Sequence, residues 1–310
     1  MPPPLPPSAE PEVLLATYAK LVVTAILWGG TWVAGRHAVQ VVSPLAVASW
    51  RFLFATLGLL LLVRWRHGRW PGINRRELLI ILGLGTTGIL LYNLFFLFGM
   101  RHITAGRGAL VVALNPVVTL LAAAWLLHEG LSMQKLLGSL LALFGCLVVI
   151  GKGDPLTLLA GKAGLGEILI LGCAVMWSAY TLISRLGTRT LPSLVMTAYA
   201  SGAGFVMLLV AALIDGPAQL VPDYPLSAWG AILFLGLLGT TVSFVWFSAA
   251  VAQIGAQRAS IFINIVPVAA VLLAAVLLGE RPDLSLLVGG LLVIAGVLLT
   301  QRAPPLPRLA

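Results

Sequence analysis

Charge is scarce in this chain: 9% of its 310 residues are Asp, Glu, Lys or Arg, and only ten of those are acids. A water-soluble domain of this length needs a polar shell, so a soluble globule is excluded. Cysteine and histidine are rarer still, with two and four copies. Cys146 and Cys173 lie inside long apolar runs and read as small apolar side chains, with neither a disulfide framework nor metal-ligand spacing. The histidines are scattered, no His-Glu-x-x-His occurs, and no two aspartates share a depth. An intramembrane enzyme, the rival from a different functional class, would need such groupings. No metal or cofactor is expected. A basic leader is missing as well, since Glu10 and Glu12 stand where a secretory signal would carry positive charge.

What is present is apolar length. The chain is 60% hydrophobic with mean hydropathy +1.04. Lipid is therefore its solvent, and each crossing must satisfy its own backbone as a helix of about 20 residues or join a closed barrel. The runs are too continuous for barrel alternation. Crossings are expected near 16–37, 44–63, 77–99, 103–127, 132–150, 165–187, 192–214, 228–252, 255–278 and 284–300. Turn chemistry separates them at Ser43-Pro44, Arg69-Trp70-Pro71-Gly72, Gly151-Lys152-Gly153-Asp154-Pro155, Leu191-Pro192 and Asp215-Gly216-Pro217. Segments 1–15 and 302–310 read as Pro-rich disordered tails, and 152–164 as a linker between halves 16–151 and 165–301.

Those halves are copies. Residues 104–151 recur as 255–302 at a constant offset of 151, with about one position in three identical. Pro116 answers to Pro267, Glu129 to Glu280, Gly138 to Gly289 and Gly145 to Gly296, all without a gap. Five crossings per copy is an odd number, so the second copy enters the membrane from the opposite face. The expected fold is an all-α membrane protein of ten transmembrane helices, built as two inverted five-helix repeats around a central cavity that each face can reach in turn. Lysine and arginine set the orientation. With both termini inside, 12 of them fall on the cytoplasmic side and six outside, leaving Arg51 within the bilayer. The net charge of +9 thus reports topology and anionic headgroups, and nucleic acid is not an expected partner.

Few polar or kinking residues reach mid-depth. Pro116 and Pro267 fall near the midplane, where each removes a backbone donor and frees a carbonyl, at Val112 and Ile263. They read as hinges, or as packing kinks without ligand contact. Asn93, Asn115 and Asn264 are costly facing lipid and so face inward, as substrate contacts or as interhelical glue. Trp28, Tyr92, Trp177, Tyr180 and Trp246 are too deep for interfacial belts; they form either a ring around a substrate or plain core. Arg51, Arg107, Glu129, Arg258 and Glu280 are assigned as structural or gating charges, with the two glutamates at helix ends where they meet headgroups or cap a neighbour. No acid sits at the midplane, which disfavours proton antiport through the site.

Trp28-Gly29-Gly30, Arg51-Phe52, Ala109, Pro116, Glu129, Gly138 and Gly145, with Trp177, Ser260, Pro267, Glu280, Gly289 and Gly296 in the second copy, resemble the EamA-type members of the drug/metabolite transporter superfamily. The resemblance covers nearly the whole chain and is greatest to bacterial amino-acid exporters. It implies ten helices in inverted repeats, a location in the bacterial inner membrane, and export of small metabolites. Among these, an amino acid suits amides, free carbonyls and aromatics. A multidrug exporter would favour a buried acid, and a sugar or nucleotide-sugar carrier would favour several buried bases. Ten helices suffice for a complete monomer, whose partners are the small substrate and the bilayer.

Overall fold

The structure, a computed structural model, describes residues 11–127, 131–154, 164–188 and 190–301. Glu129, the outer tail segments and most of the expected linker lie outside the described residues. Ten helices are long and apolar enough to cross a membrane. They are α1 (Pro11–Val41), α2 (Pro44–His67), α3 (Arg75–Met100), α4 (Ala105–Leu126), α5 (Met133–Ile150), α6 (Leu165–Gly187), α7 (Ser193–Asp215), α8 (Leu226–Ile254), α9 (Arg258–Leu278) and α10 (Leu284–Gln301). No strand occurs among the described residues.

The helix ends follow local chemistry. Ser43 caps α2, its hydroxyl accepting from the Ala46 amide at 3.2 Å, with Pro44 in the first turn. Asn74 and Glu77 form a reciprocal capping box at the start of α3, both bonds 2.9 Å. Helix α1 begins at Pro11, five residues before the expected crossing and inside the segment read as tail. Proline is well tolerated there because the first-turn amide has no intrahelical partner to lose.

Two helices change pitch where the first and second copies correspond. In α3 the stretch Gly85–Leu91 is π-helical, and in α8 the stretch Phe234–Val242 is too. Both contain Gly-Thr-Thr, as Gly85-Thr86-Thr87 and Gly239-Thr240-Thr241. In α8 the wider turns bring spare backbone carbonyls within reach, and Thr240 and Thr241 donate five residues back, to Leu235 and Gly236; in α3 Thr86 and Thr87 donate four residues back, to Leu82 and Gly83. Helices α4 and α9 are interrupted instead. The first breaks at Ala113 and Leu114, just before Pro116; the second narrows to 3₁₀ geometry at Phe262–Asn264, just before Pro267.

Small residues let the helices approach, as expected where lipid removes the hydrophobic drive between them. A Cβ on Gly29 would sit 2.7 Å from the Ala269 side chain, so this glycine holds α1 against α9. Helices α1 and α6 are central: α1 packs on α8 and α9, and α6 on α3 and α4. Helix α2 meets α7 and α8, while α7 meets α2 and α3. Adding five to each helix of the first copy gives the corresponding contact of the second. Helices α5 and α10 form a separate pair in which Gly138 meets Gly296 and Gly145 meets Gly289, each backbone within 2.7 Å of the Cβ its partner lacks. That crossed order makes α5 and α10 antiparallel.

Candidate functional site

Between α2, α3, α6, α7 and α8, at mid-depth, lies a cavity of about 460 Å³, counting the part that opens outward. Its walls are Arg51 and Phe52 from α2, Gly88, Ile89, Tyr92 and Asn93 from α3, Trp177 and Tyr180 from α6, Thr197 and Ser201 from α7, and Thr240 and Phe244 from α8. No acid or histidine is among them. A smaller space of about 270 Å³ shares Thr197 and Phe244 with it and adds Leu59, Arg66, Leu194, Val245 and Ser248. These residues lead toward the end of the bundle where α1 begins.

The aromatic wall is continuous. Trp177 and Tyr180 stack at 5.3 Å between ring centres, and Tyr92 leans on Trp177 at 5.7 Å. The absence of a side chain at Gly88 makes room for this wall, because a Cβ there would lie 2.2 Å from the Tyr180 ring. The polar wall centres on Arg51, which is 9% exposed. Its Nη1 donates to Asn93 Oδ1 at 2.9 Å, and its Nη2 reaches Thr240 Oγ1 at 3.4 Å. Asn93 in turn donates to the Ile89 carbonyl at 2.7 Å, and Thr240 to that of Leu235 at 2.9 Å. Both acceptor carbonyls lie within the π-helical stretches Gly85–Leu91 and Phe234–Val242, and the wider turn of the second sets Thr240. The rings of Phe52 and Phe96 lie 5.2 and 5.9 Å from the guanidinium.

Of the residues singled out from sequence for substrate contact, Tyr92, Asn93, Trp177 and Tyr180 meet at this cavity. Trp28, Trp246, Asn115 and Asn264 do not line it. Trp28 stands behind, donating to the Gly239 carbonyl at 3.2 Å and packing on Phe244 and Phe247. Trp246 is half-buried. Asn264 donates to Ile261 and to Gln301 Oε1 at 3.1 Å, tying α9 to α10. Asn115 is half-buried and its Oδ1 has no hydrogen-bond partner. Pro116, Pro267 and the carbonyl-bearing Val112 and Ile263 also stand outside the lining, because α4 and α9 contribute nothing to it. Arg51, read from sequence as a structural or gating charge, is the cavity's charged group. Phe244, Thr197, Ser201 and Thr240 were missed; the repeated Gly-Thr-Thr is the signal that could have found Thr240.

At the other end of the bundle, where α4 and α10 begin, the two copies are tied together. Glu280 accepts from the Ala105 and Gly106 amides at 2.9 and 3.2 Å, filling the free N-terminus of α4. Arg107 is buried, donates to the Val149 carbonyl at 2.6 Å and pairs with Asp283 at 2.8 Å. Arg36 closes the same end by donating to the Met100 carbonyl. Burial alone would raise the Asp283 carboxyl, but hydrogen bonds from Ser285 and Leu286 and the charges of Arg107 and Lys152 hold it below its ordinary value. Arg258, the repeat-mate of Arg107, is exposed at the opposite end.

A solved crystal structure superposes on 92% of this chain, and 95% of its own, with a TM-score of 0.65 at 20% identity, which establishes the likeness of fold. The uncharacterized transporter YyaM of Bacillus subtilis is 28% identical over 294 residues, spanning 95% of this chain and 96% of that protein. A protein of Streptantibioticus cattleyicolor described as a "probable terminal-alkyne amino-acid exporter" is 29% identical over 91% of this chain and 92% of its own. The model of the EamA-like transporter family matches twice, at residues 15–151 and 164–302. A ten-helix bundle with a mid-depth cavity and this double match make the chain a small-molecule transporter, and it belongs to the EamA-like transporter family.

Proposed function

We propose that the protein exports amino acids with apolar or aromatic side chains across a bacterial inner membrane, as a monomer with both termini cytoplasmic, by facilitative alternating access. The observation that carries this reading is the cavity itself, where an aromatic wall from both copies faces a fixed polar group at mid-depth. The two copies act as inverted units, a relation supported by their odd crossing number and by the crossed glycine contacts of α5 and α10. The second space, lined by Arg66, and the ties at the end holding Glu280 and Arg107 support an inward-facing reading of this shape. A cavity without carboxylate or imidazole gives a proton nothing to compete for, which supports facilitative movement. It also suits a hydrophobic-cation exporter poorly, and a nucleotide sugar would call for more than one cation.

Uptake of a labelled amino-acid panel into proteoliposomes, with and without a pH gradient, tests the reading. Apolar and aromatic members should cross, with rates insensitive to the gradient. Trp177→Ala should lower the rate about tenfold or more with the protein still folded, since it removes half of the stacked wall. Asn264→Ala, outside the cavity, should transport normally. Wild-type rates in Trp177→Ala, or substrate movement that tracks a proton current, would overturn it.

A further inference from the structure

We propose that Arg51 is the anchor for a carboxylate on the transported molecule, so that the site recognises an anionic head first and an apolar tail second. This rests on the reading of the cavity as the substrate site.

A guanidinium offers five N–H donors. Two of those on Arg51 meet protein acceptors, Asn93 and Thr240, and its Nε has none. Both acceptors are neutral. Among the described residues no Asp or Glu pairs with Arg51, and the group is 9% exposed. A charge in a spanning helix costs about 2.5–3.5 kcal/mol on insertion scales, and neutral partners return only part of that. A buried cation with spare donors, set in the wall of a cavity, is the arrangement that a carboxylate completes by a forked pair of hydrogen bonds.

The approach has the same sign. Arg66 lines the smaller space that leads to the cavity, and neither lining contains an acid. Such a path attracts anions and repels cations. Placement within the fold adds a further point: Arg51 and Asn93 come from the first copy and Thr240 from the second. A carboxylate seated on the guanidinium therefore touches the joint between the halves that must move. With no acid to receive it, an ammonium group on the same molecule gains little beyond contact with ring faces.

The test compares four probes on the purified full-length protein in detergent, by calorimetry: phenylalanine, its amide, phenethylamine and 3-phenylpropanoate. Phenylalanine and 3-phenylpropanoate should bind within about tenfold of each other. The amide and the amine should bind about 10- to 100-fold more weakly, the range of one charge-assisted hydrogen-bond pair. Arg51→Gln should bring the acids down to the level of the amide while leaving the amide unchanged. Arg51→Lys should recover part of the difference, because it keeps the charge and loses the fork. An arginine serving structure alone would instead weaken all four probes together, which would overturn the proposal. Equal binding of acid and amide by the wild type would overturn it too, and that comparison needs no variant that has to fold. If acid and amide bound equally and both were transported, the anchor would fall while the exporter reading stood; if none of the four bound, both would fall.

Discussion

The two ends of the bundle carry the same motif in different surroundings. Arg107 and Arg258 are repeat-mates at the starts of α4 and α9, yet Arg107 is buried with two partners and Arg258 is exposed. Part of the difference is written in the chain. Asp283 pairs with Arg107, and at the offset of 151 its counterpart is Ser132. Both residues cap their helices, Asp283 accepting from Leu286 at 2.7 Å and Ser132 from Lys135 at 3.3 Å. Only the aspartate brings a charge for the arginine. At this aligned position the end near Asp283 has a carboxylate paired with its arginine, and the other end has a hydroxyl. The comparison teaches that duplicated sequence supplies the frame and small departures from it decide which end gains a charge pair.

The largest way to break the comparison is through Glu280, which caps two amides at once. Glu280→Ala should cost about 1–2 kcal/mol at that end, since a charged cap at a helix N-terminus is lost. Faster hydrogen exchange at Ala105 and Gly106 would report it, and unchanged exchange would show that this end is closed by packing alone. Next comes the pair itself. Asp283→Ser makes the two copies alike at this position, and because the carboxylate is half exposed the shift should be at most about 1 kcal/mol, or roughly fivefold in the open population. Ser132→Asp should act in the opposite sense, favouring closure at the Arg258 end and slowing labelling of a cysteine placed beside it. If both substitutions shifted accessibility the same way, the inverted relation would be wrong.

The smallest expected effect is that of pH. A depressed carboxyl contributes its pairing above the ordinary carboxylate value of about 3.9 and loses it only as pH falls through the lower, folded value. Asp283 should therefore hold between pH 7 and pH 5, and exchange at Ala105 and Gly106, corrected for intrinsic rates, should not change across that window. Opening within it would assign the lock to some other titrating group.

Depth was legible in the sequence and direction was not. Length and hydropathy placed crossings such as 165–187, which the structure gives as Leu165–Gly187. Trp28 and Trp177 each lie about 12 residues into their expected crossings, but Trp177 faces the cavity and Trp28 packs behind Phe244. A membrane helix is apolar toward lipid and toward its neighbours, so the one-sided pattern that orients a soluble helix is absent. The same limit scattered the asparagines: Asn93 lines the cavity, whereas Asn264 binds Gln301. Arg51 is visible as a cation within an apolar run, which must snorkel, pair or line water, and the sequence does not choose among these. The change of pitch in α3 and α8 leaves no mark on hydropathy. Its trace is the doubled Gly-Thr-Thr, whose second copy turns its hydroxyls to carbonyls five residues back.

That wider turn is a reserve of slack. A turn closed by i→i+5 bonds holds about one residue more than one closed by i→i+4 bonds, so Gly85–Leu91 seats an extra residue while Tyr92 and Asn93 keep the bearing that regular winding would give them. A single deletion inside it should be absorbed, whereas one in the regular turn beyond it would swing the residues that follow by about 100°.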